Sequence, residues 1–411
     1  MESKNIFISA FAAHPNKGSE FAVGWNIPYQ IALNSTHNVY LFIGTFEGNG
    51  FGKFDGLDKI KLPHNLKIIK VYPDFWVSFF NYFNHRFKIG FVFYFALRRW
   101  YFLVKKEAVK LSDNSPPEIT HHLGPIGFRE PGYLSELNKR HFWGPVGGLA
   151  MINLDGIKNK NFYFYKSLIK NKINYFQLSS LRIKKVLSKS HHVFFATLDN
   201  QKMFMKKHEI NKYSLLSESA SKLPNKELKF KKRTADKLKC LAVGTLDDRK
   251  NIIFLIDLFR ELDDSKFELN IVGHGPLSPV LNRLISKYNI QNVILHGKVS
   301  YDQVDDFYVN NEILLLPSHA EGNTNVVWEA MRNYTPVMSF KINGSQTSLE
   351  NRGILINSRS YKENLKNWKS KLIEIQETPS IIHDLQTKIF KSIINDTWES
   401  RANEIIKLYN E

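Results

Sequence analysis

Cysteine is almost missing from the 411 residues: Cys240 is the single one, so no disulfide can close within the chain and a reducing, cytoplasmic setting is expected. Zinc-ligand spacing, RNA-binding aromatic motifs and a basic zipper are missing too. Long hydrophobic runs are also lacking. The most apolar stretch, Phe75 to Val104, is broken by His85, Arg86, Lys88, Arg98 and Arg99. Its longest charge-free piece, Ile89 to Leu97, falls far short of the roughly 20 residues of a membrane-spanning helix. The start of the chain leads from Glu2, Ser3, Lys4 and Asn5 straight into the strand-like Ile6 to Ala13, without the basic patch and apolar core of a secretion signal. Acidic side chains are in deficit, with 39 Asp and Glu against 57 Lys and Arg and a formal charge of +18. That excess calls for anionic company, either phosphorylated substrates or an anionic membrane face. Nucleic acid is not expected, because none of its recognition motifs accompanies the charge.

What is present reads as a folding, globular chain, 43% hydrophobic and 23% charged. Its length suits two domains of about 150 to 200 residues each. Strand-like apolar runs occupy Ile6 to Ala13, Val39 to Gly44, Leu66 to Tyr72, Glu118 to Leu123, Phe142 to Val146 and Val193 to Thr197. Helix-compatible stretches separate several of them, which makes residues 1–210 an α/β domain. Residues 211–236 are polar and basic without an apolar period and read as a linker. The second half alternates more cleanly. Strands are predicted at Lys239 to Gly244, Glu268 to Gly273, Val293 to Gly297, Ile313 to Pro317, Pro336 to Phe340 and Ile354 to Ile356. Amphipathic segments such as Asn251 to Leu262 and Ser278 to Tyr288 lie between them. Strict alternation predicts a parallel sheet covered on both faces, with ligands at the carboxyl ends of its strands, over residues 237–375. Residues 376–411 carry helical apolar spacing, notably Ile381 to Tyr409, and are expected to return to the first domain.

The strand ends of the second half carry the chemistry. After the first come Gly244, Thr245, Leu246, Asp247, Asp248, Arg249 and Lys250, then a helix. A glycine closing a strand and cations just before a helix N-terminus make a diphosphate site, where free amides and the helix dipole add to the side-chain charge. The bland alternative is two solvated cations at a turn. Gly273, His274, Gly275 and Pro276 follow the second strand, and Gly297, Lys298 and Val299 the third. Such loops let backbone approach a base or a phosphate, although tight turns need glycine as well. After Ile313 to Pro317 come Ser318, His319, Ala320, Glu321, Gly322, Asn323, Thr324 and Asn325, then a helix containing Glu329. Two carboxylates and small residues supplying amides form a cup that can accept from sugar hydroxyls and donate to a diphosphate. Alternatively Thr324 or Asn325 simply caps the helix, with Glu329 facing its dipole.

These residues resemble the family 4 retaining glycosyltransferases of the GT-B fold, marked by Glu, seven residues, then Glu, the spacing of Glu321 and Glu329. Gly244 to Lys250 resembles the family's diphosphate loop, and Gly273 to Pro276 with Gly297 to Val299 its base-binding loops. In the first half, Pro15 to Glu20 with Gly24 and Trp25 is similar to a Gly-Ser-Glu then Gly-Trp pattern of a subgroup of bacterial polysaccharide assembly. His121, His122, Phe128, Arg129, Pro131, Gly132, Tyr133, the run Trp143 to Gly148 and the C-terminal Trp398, Glu399 and Tyr409 fit the same subgroup. One departure stands out: the family's usual arginine after the loop glycine is here Thr245, which removes a cation unless Arg249 reaches the same oxygens.

The resemblance implies two Rossmann-like domains facing across a cleft, with a nucleotide-sugar donor on the second and a saccharide or lipid-linked saccharide acceptor. It implies that Glu329 holds the ribose and Glu321 the donor sugar, near amides of Gly322, Asn323, Thr324 and Asn325, while Lys250 neutralises the leaving diphosphate. Gly18 would let the first loop approach the donor. His122 would line the reaction centre at a strand end with His121 as its rival, since alternation sends only one of them inward. Arg129 and Glu130 are acceptor-contact candidates, with surface ion pairing as the alternative. Catalysis would then rest on His122, Glu321 and Lys250, with retention of configuration and neither metal nor organic cofactor. The aromatic and basic stretch Phe75 to Lys106 suggests peripheral contact with an anionic membrane, against the alternative that its aromatics pack on the first sheet. An epimerase or hydrolase of the same fold, or a non-catalytic binder of polysaccharide or nucleic acid, remain rival readings. The sugar, the base, the acceptor and the oligomeric state are open at this stage.

Overall fold

A computed structural model describes residues 2–18, 20–47, 50–87, 90–138, 140–221 and 237–411. Ser19 and most of the expected linker, 222–236, lie outside the described residues. In chain order the elements begin β1 (Asn5–Ala12), α1 (Glu20–Asn34), β2 (Asn38–Thr45), β3 (Leu66–Lys70), α2 (Phe75–Phe87), α3 (Val92–Ser112), β4 (Ile119–Gly124) and β5 (His141–Val146). They continue with α4 (Phe162–Gln177), α5 (Leu181–Leu187), β6 (Ser190–Phe195), α6 (Leu198–Met205) and β7 (Tyr213–Leu215). The second half holds β8 (Leu238–Val243), α7 (Ile252–Phe259), β9 (Phe267–Val272), α8 (Ser278–Lys287), β10 (Val293–Gly297), α9 (Tyr301–Asn310) and β11 (Ile313–Leu316). It ends with α10 (Asn325–Arg332), β12 (Val337–Phe340), α11 (Asn343–Ser348), β13 (Ile354–Ile356), α12 (Tyr361–Glu377), α13 (Ser380–Ser392) and α14 (Trp398–Asn410).

The chain divides into two compact units. Unit 1 comprises Met1–Leu149, Asn174–Ala220 and Trp398–Glu411; unit 2 comprises Ala150–Ile173 and Ser221–Thr397. Unit 1 is built on a seven-stranded sheet in the order β3-β2-β1-β4-β5-β6-β7 with parallel pairing. Its central strands are buried almost throughout, as expected of a parallel sheet covered on both faces. Gly24 of α1 explains how closely that helix lies on β1: a Cβ there would stand 2.0 Å from the Ala12 carbonyl oxygen. Helix α14 packs beside α1 and buries Ala402, Ile405 and Tyr409, spaced for one helical face, in the same apolar core as Ile6, Ile8 and Phe142. On the other side of the sheet, α3 buries Ala96, Leu97, Trp100, Tyr101, Val104 and Ala108 with Phe7 and Phe42.

Unit 2 carries a six-stranded sheet, β10-β9-β8-β11-β12-β13, again parallel. Helix α7 is apolar nearly all round and is buried from Phe254 to Phe259, the pattern of a helix enclosed in a core. It packs with Trp368 and Leu372 of α12. In this sheet the strand order reverses between β8 and β11, and the carboxyl ends at such a switch point form the crevice where α/β folds bind ligands.

Two features differ from the sequence expectation. Residues 213–215, inside the expected linker, form β7, a three-residue parallel neighbour of β6. And residues 150–173, expected in the first domain, cluster with unit 2. They are tied there by Asn153, which donates to the Ser358 hydroxyl at 3.0 Å, and by Lys158, paired with the Asp257 carboxylate at 2.5 Å.

Candidate functional site

At the unit 2 switch point the loops after β8 and β11 meet. Glu321 and Lys250 are each about 6% exposed, and the Lys250 ammonium lies 2.6 Å from Glu321 Oε1. Arg249 donates to Glu321 Oε2 at 2.8 Å. Both cations of the β8 loop therefore converge on one carboxylate of the β11 loop. The solvated-turn alternative fails for Lys250, whose side chain is buried. Thr245 is exposed and takes no part in this pairing; Arg249 stands beside Lys250 instead.

Local backbone accounts for the convergence. Asp247 accepts from the Lys250 amide at 3.0 Å, closing a single tight turn over Asp248–Lys250 before α7. Asn251, at φ 55°, holds the next link open and donates to the Pro317 carbonyl at 3.1 Å. The His319 amide donates to the Arg249 carbonyl at 2.9 Å, so the two loops are stitched backbone to backbone. Gly244 at φ 141° leaves room for the Lys250 side chain, whose Cε would be 3.3 Å from a Cβ at that position. Gly273 comes closer still: its missing Cβ would sit 1.9 Å from the Gly244 carbonyl oxygen, at φ 142° where L side chains are strained anyway. His274 is exposed, as is Lys298, while Val299 is partly buried against Leu314 and Leu316.

The second carboxylate sits on α10. Glu329 accepts from the Tyr308 hydroxyl at 3.1 Å, and burial with that carboxylate nearby raises the phenol well above its ordinary range, so it stays a donor. Thr324 stands at the N-cap of α10 without a side-chain capping bond, so capping by its hydroxyl does not explain it. Gly322 and Asn325 are exposed at the rim. Asn323 is buried and accepts from the Ser348 hydroxyl at 2.6 Å.

Sequence reasoning missed Tyr163, on the first turn of α4. Its ring lies 5.8 Å from that of His319, and its phenol is pushed up to about 12 by burial, against the pull of Ser167 and the Arg249 charge. His319 is itself held down to about 4 by burial and is neutral. Nothing in the pattern around Tyr163 signals a site, because the contact joins segments some 150 residues apart in sequence.

The unit 1 residues are placed differently from expectation. His121 and His122 are both enclosed, at 0% and 1% exposure, and His122 is the fourth of six residues of β4 rather than at its end. Alternation does send them to opposite faces, but helices cover both. His121 meets the Tyr409 hydroxyl at 2.5 Å and the Gly144 carbonyl at 2.7 Å. His122 meets the Ser9 hydroxyl at 3.0 Å beneath Tyr101. Burial lowers them to about 4 and about 3. Arg129 donates to Gln177 at 2.6 Å and also to Asn174. Surface ion pairing is corrected for Glu130: it is buried and takes Arg98 at 2.6 Å and Arg182 at 2.5 Å. Gly18 is exposed in the loop between β1 and α1. Glu20, the first residue of α1, has its carboxyl raised to about 7 by burial, opposed by the Ile126 amide and reinforced by Glu218. Among the described residues no three His, Cys, Asp or Glu side chains converge as a metal site.

Comparison with known proteins adds the following. Residues 224–383 match the family described as Glycosyl transferases group 1. An uncharacterized glycosyltransferase of Methanocaldococcus jannaschii is 25% identical over 172 residues, 42% of this chain and 47% of that protein; the chain thus spans about half the length of this curated relative. The structure of S. aureus TarM in complex with fondaparinux, α-GlcNAc-glycerol and UDP superposes at a TM-score of 0.60 with 13% identity, covering 99% of this chain and 100% of that one. WaaG, a glycosyltransferase involved in lipopolysaccharide biosynthesis, superposes at 0.59 with 14% identity, covering 98% and 99%. Over residues 224–383, less than half of the chain, the sequence is thus similar to the glycosyl transferases group 1 family, and its two Rossmann-like parallel-sheet units are those of the GT-B glycosyltransferase fold.

Proposed function

We propose that this protein is a retaining glycosyltransferase of family 4, which moves a hexosyl group from a nucleotide-sugar to a saccharide or lipid-linked saccharide in bacterial surface-polysaccharide assembly. The observation that carries the reading is the buried meeting of Lys250, Arg249 and Glu321 at the unit 2 switch point. Two cations held on a carboxylate in a strand-end crevice are a preorganised anion site: a donor diphosphate takes over the cations and leaves Glu321 to accept from the sugar's hydroxyls. Glu329, fixed by Tyr308, takes the ribose. Amides of Gly322 to Asn325 complete the diphosphate cradle, and His274, Lys298 and Val299 flank the base. His122, enclosed in unit 1, acts as a support and not on the reacting atoms, and His121 and Arg129, tied into the same unit, act as supports and not as acceptor contacts.

Departure of the nucleoside diphosphate breaks the anomeric C–O bond, building negative charge on the leaving oxygen and positive character on the ring. Lys250 and Arg249 stabilise the former, the largest source of rate available to such a site, and no metal is required. The acceptor oxygen bonds to the anomeric carbon on the face the diphosphate leaves, and its proton passes to a leaving phosphate oxygen. The UDP of the TarM complex and the lipopolysaccharide role of WaaG support a nucleotide-sugar donor and a surface-polysaccharide product. Calorimetry with UDP, GDP and ADP tests the reading. One nucleotide is expected to bind, and Lys250→Ala and Glu329→Ala are each expected to weaken it roughly tenfold or more, the range for charged hydrogen bonds. A folded protein that binds none of the three would end the proposal.

A further inference from the structure

Helix α2 leaves nearly all of its apolar side chains uncovered. Of its 13 residues only Val77 is buried, although eight are Phe, Trp, Tyr or Val. Phe75 is 71% exposed and Trp76 50%, with Tyr82 at 61% and Phe87 at 58%. The exposure is organised. Phe75, Phe79, Phe83 and Phe87 form an i, i+4 ladder with successive ring centroids 6.0, 4.8 and 5.4 Å apart, a continuous aromatic ridge along the helix. The ridge continues onto the start of α3, where Phe91 is 66% and Phe95 43% exposed and Phe80 meets Phe95 at 5.8 Å. The sequence alternative, in which these aromatics pack on the sheet, holds for Trp100 and Tyr101 of α3 and fails for α2.

The helix is nevertheless firmly anchored. Asp74 accepts from the Val77 amide at 3.0 Å and from Arg99 at 2.7 Å, and the Trp100 indole donates to the Val71 carbonyl at 3.0 Å. Charge then selects the occupant. From Phe75 to Lys106 there is no Asp or Glu, and there are six Lys and Arg. Arg98, Arg99 and Lys105 are taken by Glu130, Asp74 and Glu136, but Arg86, exposed at the end of α2, and Lys106, exposed and over Phe102 at 5.1 Å, border the apolar ridge with cations. A second copy of this chain would set like charges against each other.

We propose that α2 and the first turns of α3 form the surface by which this protein rests on an anionic lipid bilayer. The aromatic rings enter the headgroup boundary and the flanking cations meet lipid phosphates. Neither the donor site nor the glycosyl transfer reading is needed for this inference.

The full chain is tested with vesicles of phosphatidylcholine alone and of phosphatidylcholine with phosphatidylglycerol in equal parts. It is expected to sediment with the anionic vesicles and not the neutral ones, and 0.5 M salt is expected to weaken that binding. Trp76 is the one tryptophan largely exposed among the described residues, so its emission is expected to shift to the blue on binding. Phe75→Ser/Phe91→Ser, both at exposed positions, is expected to lower the partition about tenfold with an unchanged circular dichroism spectrum. Sedimentation with neither vesicle overturns the proposal. So does full binding by the double variant, or a concentration-dependent dimer in ultracentrifugation that the double variant abolishes, which would give the face to a second copy.

Discussion

Glu321 is held by two cations, one buried as deeply as itself and one partly exposed, and this asymmetry decides what each substitution does. Removing Lys250 strands a buried carboxylate with a single partner, which costs roughly 3 kcal/mol, the lower end for breaking a buried pair. Lys250→Met is therefore expected to lower the urea midpoint clearly, and Lys250→Met/Glu321→Leu to regain most of the loss. Equal midpoints for the two variants would mean that the lysine is held by packing and not by charge. Tyr163 invites a second test. Its hydroxyl lies beside Ser167 and in the field of Arg249, so Tyr163→Phe should leave stability almost unchanged and weaken binding of the preferred nucleoside diphosphate several-fold, with the monophosphate unaffected. Equal loss for both nucleotides in calorimetry would rule out a phosphate-side role. Glu321, Glu329, Arg249 and Lys250 were legible in the sequence because each stands at a fixed offset from a strand end in an alternating α/β pattern. Tyr163 was not, since no local period records that residues 150–173 fold with the distant half.

Among the elements, β4 and β6 carry a stability that depends on acidity. His121 and His192 are lowered to about 4 and His122 to about 3, in each case first by burial. Folded values below the ordinary 6.5 mean that the unfolded chain binds more protons between about pH 6.5 and 4. Their contribution is complete above that window and is lost as pH falls through it. Glu20, raised to about 7, works the opposite way over the same range, so the test is made on the Glu20→Gln background. Its urea midpoint should decline from pH 7 to pH 5 and His121→Gln should flatten that slope, whereas a midpoint independent of pH would contradict the assignment. Strong elements such as β1, β2 and β8 were readable from buried, near-continuous apolar runs. Strand β7 was not, because three half-exposed residues in a polar stretch carry too little pattern to separate from a loop. The covering of both sheet faces also explains why alternation at His121 and His122 predicted opposite directions correctly and an open position wrongly.

For the whole molecule, the two sheets and their order follow from alternation of strand and helix, and the handedness of parallel crossovers leaves few other arrangements. Less legible was which stretch belongs to which unit. The sequence suggests boundaries where polarity rises, whereas the units exchange chain: residues 150–173 go to unit 2 and Trp398–Glu411 to unit 1. Packing decides this, through Asn153 and Lys158 in one case and the buried face of α14 in the other.

Unit 1 thereby acquires a schedule. Its core is assembled from three separate stretches of chain, and the last supplies Tyr409, the partner of His121 beneath the sheet. A ribosome adding about 5–20 residues per second needs roughly ten seconds to most of a minute to pass from the end of the first stretch to α14. Throughout that interval the newborn sheet has α1 but not α14 over its His121 face. A chaperone that binds apolar surface is therefore expected to hold ribosome-bound chains cut before Trp398 longer than the full chain, which a pull-down of stalled chains would measure.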